Sequence, residues 1–119
     1  MQQRNELNRK LASLLGWTHF EAAGGALLGS PPWWAGNSRG QAQVPDWEGD
    51  WRPAGALMAK YHCSLRLRRC PQRGDVIASE IFPLILPLAA VVSQHNCLDA
   101  AYRVAIIVAV IAKLESRKG

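Results

Sequence analysis

Residues 62–82 read HCSLRLRRCPQRGDVIASEIF, and the reading of this stretch decides the fold class. Cys63, Leu65 and Leu67 alternate with His62, Ser64, Arg66 and Arg68. That period of two sets one side of a strand in a core and leaves the other, basic side in water. Residues 70–75, CPQRGD, are turn formers, and an extended run resumes over 76–82. Two such runs joined by a short turn predict an antiparallel hairpin, so the chain contains a sheet.

Toward the C-terminus, Pro83 and Pro87 interrupt the apolar run 81–92, IFPLILPLAAVV. Proline cannot donate to a ladder, so a regular central strand is barred here and only a short third strand is predicted, over 89–93. Asn96 with Asp99 three residues on is a variant of the capping box and opens a long helix over 98–115. Its Ala, Ile and Val residues run nearly all round, which predicts burial on more than one side, by the sheet and by a neighbouring subunit. Residues 116–119 form a basic end suited to the negative end of the helix dipole.

Toward the N-terminus, Asp50 is read as the cap of a short helix over 51–60, with Pro53 tolerated in the first turn. Leu7, Leu11, Leu14 and Leu15 make one stripe of an amphipathic helix, with Asn5 as its N-cap, Gly16 as its stop and Trp17 as an anchor behind it. Between these helices periodicity fades. Residues 18–46 hold Gly24-Gly25, Gly29, Pro31-Pro32, Gly36, Asn37 and Gly40, and read as one long loop with a short strand around 26–28. A loop of that length inside a domain points to function. The fold expected is α+β: a small antiparallel sheet of about three strands with helices on both faces, an α/β/α sandwich, in a single domain spanning 1–119.

Hydrophobic residues make up 49% of the 119 positions and charged ones 19%, which fits a globular chain and excludes a disordered one. Fourteen basic residues against 9 acidic give a net charge of +5, favouring anionic partners. The 3 cysteines are irregularly spaced, which implies no disulfide framework and a reducing compartment. The N-terminal MQQRNELNRKL lacks the apolar core of a signal peptide, so secretion is not expected. Neither the run 81–92 nor the run 102–114 reaches the ~18 uninterrupted apolar residues of a membrane span, so no membrane partner is expected.

His62, Cys63, Cys70, His95 and Cys97 are metal-ligand types, but no tight Cys-x(2–4)-Cys pair is present, and they read as buried or incidental. His19-Phe20-Glu21 matches half of the zinc-deaminase signature and the other half is missing. No phosphate loop or nucleophile elbow occurs. No catalytic residue, metal or cofactor is therefore assigned, and the chain does not read as an enzyme. The suggestive groups are Arg66, Arg68, Arg69 and Arg73 on the hairpin, since guanidinium forks grip phosphate, although a solvated strand face is the plainer reading. Four of the five tryptophans lie in residues 29–51, and aromatic faces with arginines suit a nucleobase and its phosphates. Trp33, Trp34 and Trp47 would stack the base, and Arg39, Arg66 and Arg68 would hold phosphates. Tryptophans serving as lids on the core or at an oligomer interface are an equal alternative.

Leu15-Gly16-Trp17 after the first helix, Val44-Pro45-Asp46-Trp47 leading into the second, and the alanine-rich AAYRVAIIVAVIAKL of the last resemble the phage ABA sandwich domain, a family of small phage and prophage proteins. The resemblance implies helices on both faces of a small antiparallel sheet, a phage origin and action in the host cytoplasm, and it carries no reaction. With the charge and the aromatics, it sets the functional expectation: a non-enzymatic accessory protein that sequesters a nucleotide-type immune signal, a counter-defence sponge. The alternative is a homo-oligomeric interaction module acting on a host or phage protein, and under either reading a homo-oligomer joined through the C-terminal helix is expected. Nucleic acid ranks third, because no reading helix is recognised.

Overall fold

Helix ends, hairpin turns and a buried helix set this architecture. The computed structural model describes residues 2–34 and 41–118. In chain order the elements are α1 (Gln2–Leu14), β1 (Thr18–Ala23), β2 (Ala26–Ser30), a 3-10 turn (Pro32–Trp34), β3 (Ala42–Gln43), α2 (Trp51–Lys60), β4 (Ser64–Cys70), β5 (Gly74–Ile81), β6 (Leu84–Val91), a second 3-10 turn (Val92–Gln94) and α3 (Leu98–Lys118). The class is α+β. The strands form two antiparallel three-stranded sheets, ordered β1-β2-β3 and β4-β5-β6, in place of the single sheet expected. The chain divides into two compact units, Met1–Asp46 and Trp47–Gly119.

In the first unit α1 begins at Gln2, so Asn5 lies inside the helix instead of capping it. Its C-terminal end is the one foreseen. Gly16 takes φ +104°, the Trp17 N–H donates to the Ala12 carbonyl at 3.0 Å, and the Gly16 N–H donates to Ser13 at 3.1 Å. This is the Schellman pattern, and Ala12 and Trp17 are both buried across it.

The loop expected over 18–46 is a hairpin in its first half. β1 and β2 pair with Ala23 opposite Ala26, and Gly24 and Gly25 take φ +58° and +84° between them. Positive φ at both central residues defines the type I′ turn, whose twist matches a hairpin. The alternation of THFEAA is too weak to announce a strand, and its residues are almost all exposed. β3 adds to β2, and the Val44 N–H donates to the Leu27 carbonyl at 2.8 Å. The Asn8 amide donates to an Asp46 carboxylate oxygen at 2.9 Å, which ties α1 to the end of the unit.

In the second unit α2 occupies the predicted residues, and the Asp50 side chain accepts from the Arg52 N–H at 3.0 Å. A second Schellman pattern ends it. Cys63 N–H donates to Met58 at 3.0 Å and His62 N–H to Ala59 at 3.3 Å, with His62 at φ +53° in the place glycine usually takes. The predicted hairpin follows, in register from Ser64 opposite Glu80 to Cys70 opposite Gly74. Its turn closes through the Arg73 N–H to the Cys70 carbonyl at 3.2 Å, with Gly74 at φ +77°.

The third strand is longer than expected and runs through Pro87. It is tolerated because β6 is an edge strand and its ladder slips there. Leu86 faces Ser79 and Ala90 faces Ile77, leaving Pro87, Leu88 and Ala89 across from Ala78. Along β5, Ile77, Ser79 and Ile81 are buried at alternate positions. α3 packs on β5 and β6 and meets α2. It starts after Asn96, which therefore precedes the helix rather than capping it, while Asp99 stands in the first turn as expected. Ala101, Val104, Ala105, Ile106, Ile107, Ala109, Val110 and Ile111 are all buried within the chain. The open apolar face that motivated oligomerisation through this helix is therefore already covered.

Candidate functional site

The six residues expected to bind a ligand divide by position. Trp33 sits in the 3-10 turn of the first unit and is 72% exposed, with its ring edge-on to Trp17 at 5.6 Å and 80°. Its partner is thus partly the buried anchor behind α1. The Trp34 side chain and all of Arg39 lie outside the described residues. Trp47, in the second unit, keeps 5% of its surface exposed and serves as a core group rather than an open stacking platform. Arg66 and Arg68 are exposed on β4, two residues apart and so on one face. Arg69 projects from the opposite face and meets Asp75, its cross-strand partner, at 3.3 Å. Trp33 and the Arg66–Arg68 pair belong to different units of the chain.

A site that the sequence reading missed lies wholly in the second unit. Lys60, Tyr61 and His62 at the end of α2, Ile81 and Phe82 at the β5–β6 turn, and Lys113 and Arg117 of α3 line a cleft of about 550 Å³. That volume is in the range of small-molecule sites. The Schellman turn after α2 presents its three residues together. Lys113 and Arg117 are four apart, hence on one helix face. Lys113 Nζ donates to the Phe82 carbonyl at 3.2 Å, which joins α3 to the turn. Lys60 Nζ stands 5.7 Å from the centre of the Tyr61 ring. Phe82 is 82% exposed, so the faces of its ring are accessible. Among the described residues the lining thus holds three cations, a histidine and two aromatic rings, and no carboxylate. Nothing local in the sequence marks it, because its parts come from three elements brought together by topology. The spacing of Lys113 and Arg117, with Phe82 isolated between two strands, was the available signal.

The first unit carries a second groove, of about 440 Å³, lined by Glu6, Arg9, Lys10, Ser13, Leu14 and Phe20. The Arg9 guanidinium already covers the Phe20 ring at 5.4 Å, and Glu6 makes the charge mixed. The three thiols are free. Burial pushes the Cys63 thiol up to about 11, with a backbone hydrogen bond from Glu80 opposing in part. Burial also lowers the His95 imidazole below its ordinary value. Among the described residues no three of His, Cys, Asp and Glu gather to hold a metal ion, and no helix is long and apolar enough to cross a membrane.

Comparison with protein-family models, with curated proteins and with solved structures gave no match. The likeness to the phage ABA sandwich domain therefore rests on the short motifs quoted above.

Proposed function

We propose that this protein binds a small anionic ligand in the cleft formed by the end of α2, the β5–β6 turn and α3, and performs no chemistry on it. The observation that carries this reading is the charge of the lining, with Lys60, Lys113 and Arg117 converging and no carboxylate among the described lining residues. Ammonium and guanidinium groups held on separate elements can grip separate phosphate oxygens, and an exposed aromatic face can stack a base. Phe82 supplies that face. The ligand class is a nucleotide, with Lys113 and Arg117 on the phosphates and Phe82 against the base. In keeping with the phage resemblance, its role is sequestration of a nucleotide-type signal. Trp33, Arg66 and Arg68, the residues first singled out, are secondary in this reading.

Calorimetric titration against cyclic nucleotides, nucleoside diphosphates and pyrophosphate tests it. Binding in the micromolar range is expected, with a loss of at least about tenfold, or ~1.4 kcal/mol, for Lys113→Met combined with Arg117→Met. No binding of any of the three up to about 1 mM would overturn the proposal. Binding that survives this double variant but vanishes in Arg66→Ala with Arg68→Ala would move the site to the face of β4.

A further inference from the structure

The sheet of the second unit has two edges, β4 and β6, and their chemistry is opposite. β4, SLRLRRC, carries Arg66, Arg68 and Arg69 in seven residues. β6, LILPLAAV, carries no charge at all. An edge strand presents unpaired backbone donors and acceptors, and chains usually guard it with charge, proline or a bulge. β4 is guarded by its arginines. β6 has only Pro87 and the slip in its ladder. Residues 89–91 are buried, while Ile85 and Leu88 remain 64% and 48% exposed. The charge-free and exposed length is therefore 84–88, beginning at the β5–β6 turn, with Pro87 as its one position that cannot donate to a new ladder.

We infer that β6 is the joining edge of a two-fold homodimer, in which residues 84–88 of two copies pair antiparallel into one continuous six-stranded sheet. Self-pairing is what separates the edges. Across a two-fold axis each strand meets a copy of itself, so β4 would set arginines against arginines at cross-strand distances of about 5 Å, which is destabilising. β6 meets only apolar side chains. Joined through β6, the two arginine edges stand five strand spacings apart, about 24 Å. That is roughly three Debye lengths at physiological salt, so the repulsion between the two arginine edges is screened there. The contact covers Ile85 and Leu88, and it uses none of the cations of the cleft.

Light scattering across about 1 µM to about 1 mM, with hydrogen exchange at both ends of that range, tests the assignment. Wild-type chain is expected at twice the 13.1 kDa monomer mass at the upper concentrations. Amides of Leu84, Ile85, Leu86 and Leu88 should gain protection as concentration rises; Pro87 has none to report. Ile85→Lys combined with Leu88→Lys should stay monomeric while keeping the wild-type circular dichroism spectrum and melting temperature. A wild-type chain monomeric throughout overturns the inference, as does a dimer whose protection gain falls elsewhere. The exchange measurement is made on wild type, so it decides even if the double variant misfolds.

Discussion

The guanidinium of Arg103 lies 5.5 Å from the centre of the Trp51 ring. Its Nε donates to the Glu48 carbonyl at 2.7 Å, so one side chain of α3 holds both the first residue of α2 and the segment before it. A planar cation over an indole contributes about 0.5–1 kcal/mol at a partly exposed site, and a charged hydrogen bond adds about 1.5. Arg103→Ala should therefore destabilise the protein by about 1–3 kcal/mol in urea denaturation. Arg103→Lys keeps the charge but not the flat stack, and should lie between the two. An unchanged midpoint in Arg103→Ala would show that the contact contributes nothing.

Two glycines should respond to alanine with opposite signs. Gly16 takes φ +104°, and a Cβ there would stand 3.0 Å from the Pro32 Cβ. Gly16→Ala combines left-handed strain of about 1–2 kcal/mol with that crowding, so the midpoint should fall. Gly55 lies inside α2, where a Cβ would meet nothing within 4 Å. Gly55→Ala should raise stability by about 0.5–1 kcal/mol through helix propensity. Thermal melts of the two variants side by side check both signs.

Ser79 is 2% exposed among apolar residues of β5, and its hydroxyl has no hydrogen-bond partner among the described residues. Removing an unpaired buried hydroxyl should cost nothing. Ser79→Ala is expected to be neutral or to stabilise by up to about 1 kcal/mol. A loss larger than about 1 kcal/mol would reveal a bond that the hydroxyl makes.

The Cys63 thiol gives a pH dependence of known sign. Its value in the fold, about 11, exceeds the ordinary 9.0, because burial disfavours the thiolate. The unfolded chain therefore releases this proton first as pH rises. The contribution is fully present below pH 9.0 and is lost between there and about 11, by at most about 1.4 kcal/mol per pH unit. Cys63→Ala should flatten that part of the profile. In thiol labelling at neutral pH, exposed Cys97 should react readily and buried Cys63 only when the chain unfolds. Equal reactivity of the two would contradict this placement.

What the chain declared in advance follows local rules. The Asp50 cap, the limits of α2, the stop at Gly16 and the β4–β5 hairpin each depend on side chains within a few residues. So does the long apolar run of α3. Misreadings arose where another level of structure prevailed. Pro87 stands inside a strand because β6 has only one ladder partner, a fact of topology. The hairpin at Gly24-Gly25 escaped notice because β1 buries little and so lacks alternation. The first helix starts at Gln2, a boundary that the leucine stripe beginning at Leu7 does not mark. The cleft was illegible for a different reason. Its cations are ordinary helix-end residues until three elements converge, and no window of sequence spans positions 60 to 117.

Lys60 and Arg117 stand in the last turns of α2 and α3, where the backbone carbonyls give a helix its negative end. Positive charge there is favourable whether or not a ligand is bound. In many binding sites like charges repel when empty, and removing one stabilises the protein at the expense of function. Here the helix ends hold at least two of the three cations at rest. The unliganded cleft is thus not a strained state awaiting neutralisation, and selection for stability alone would keep these residues in place. A search for thermostable variants would leave the cleft intact, whereas under the role proposed above a search for binding would return to it.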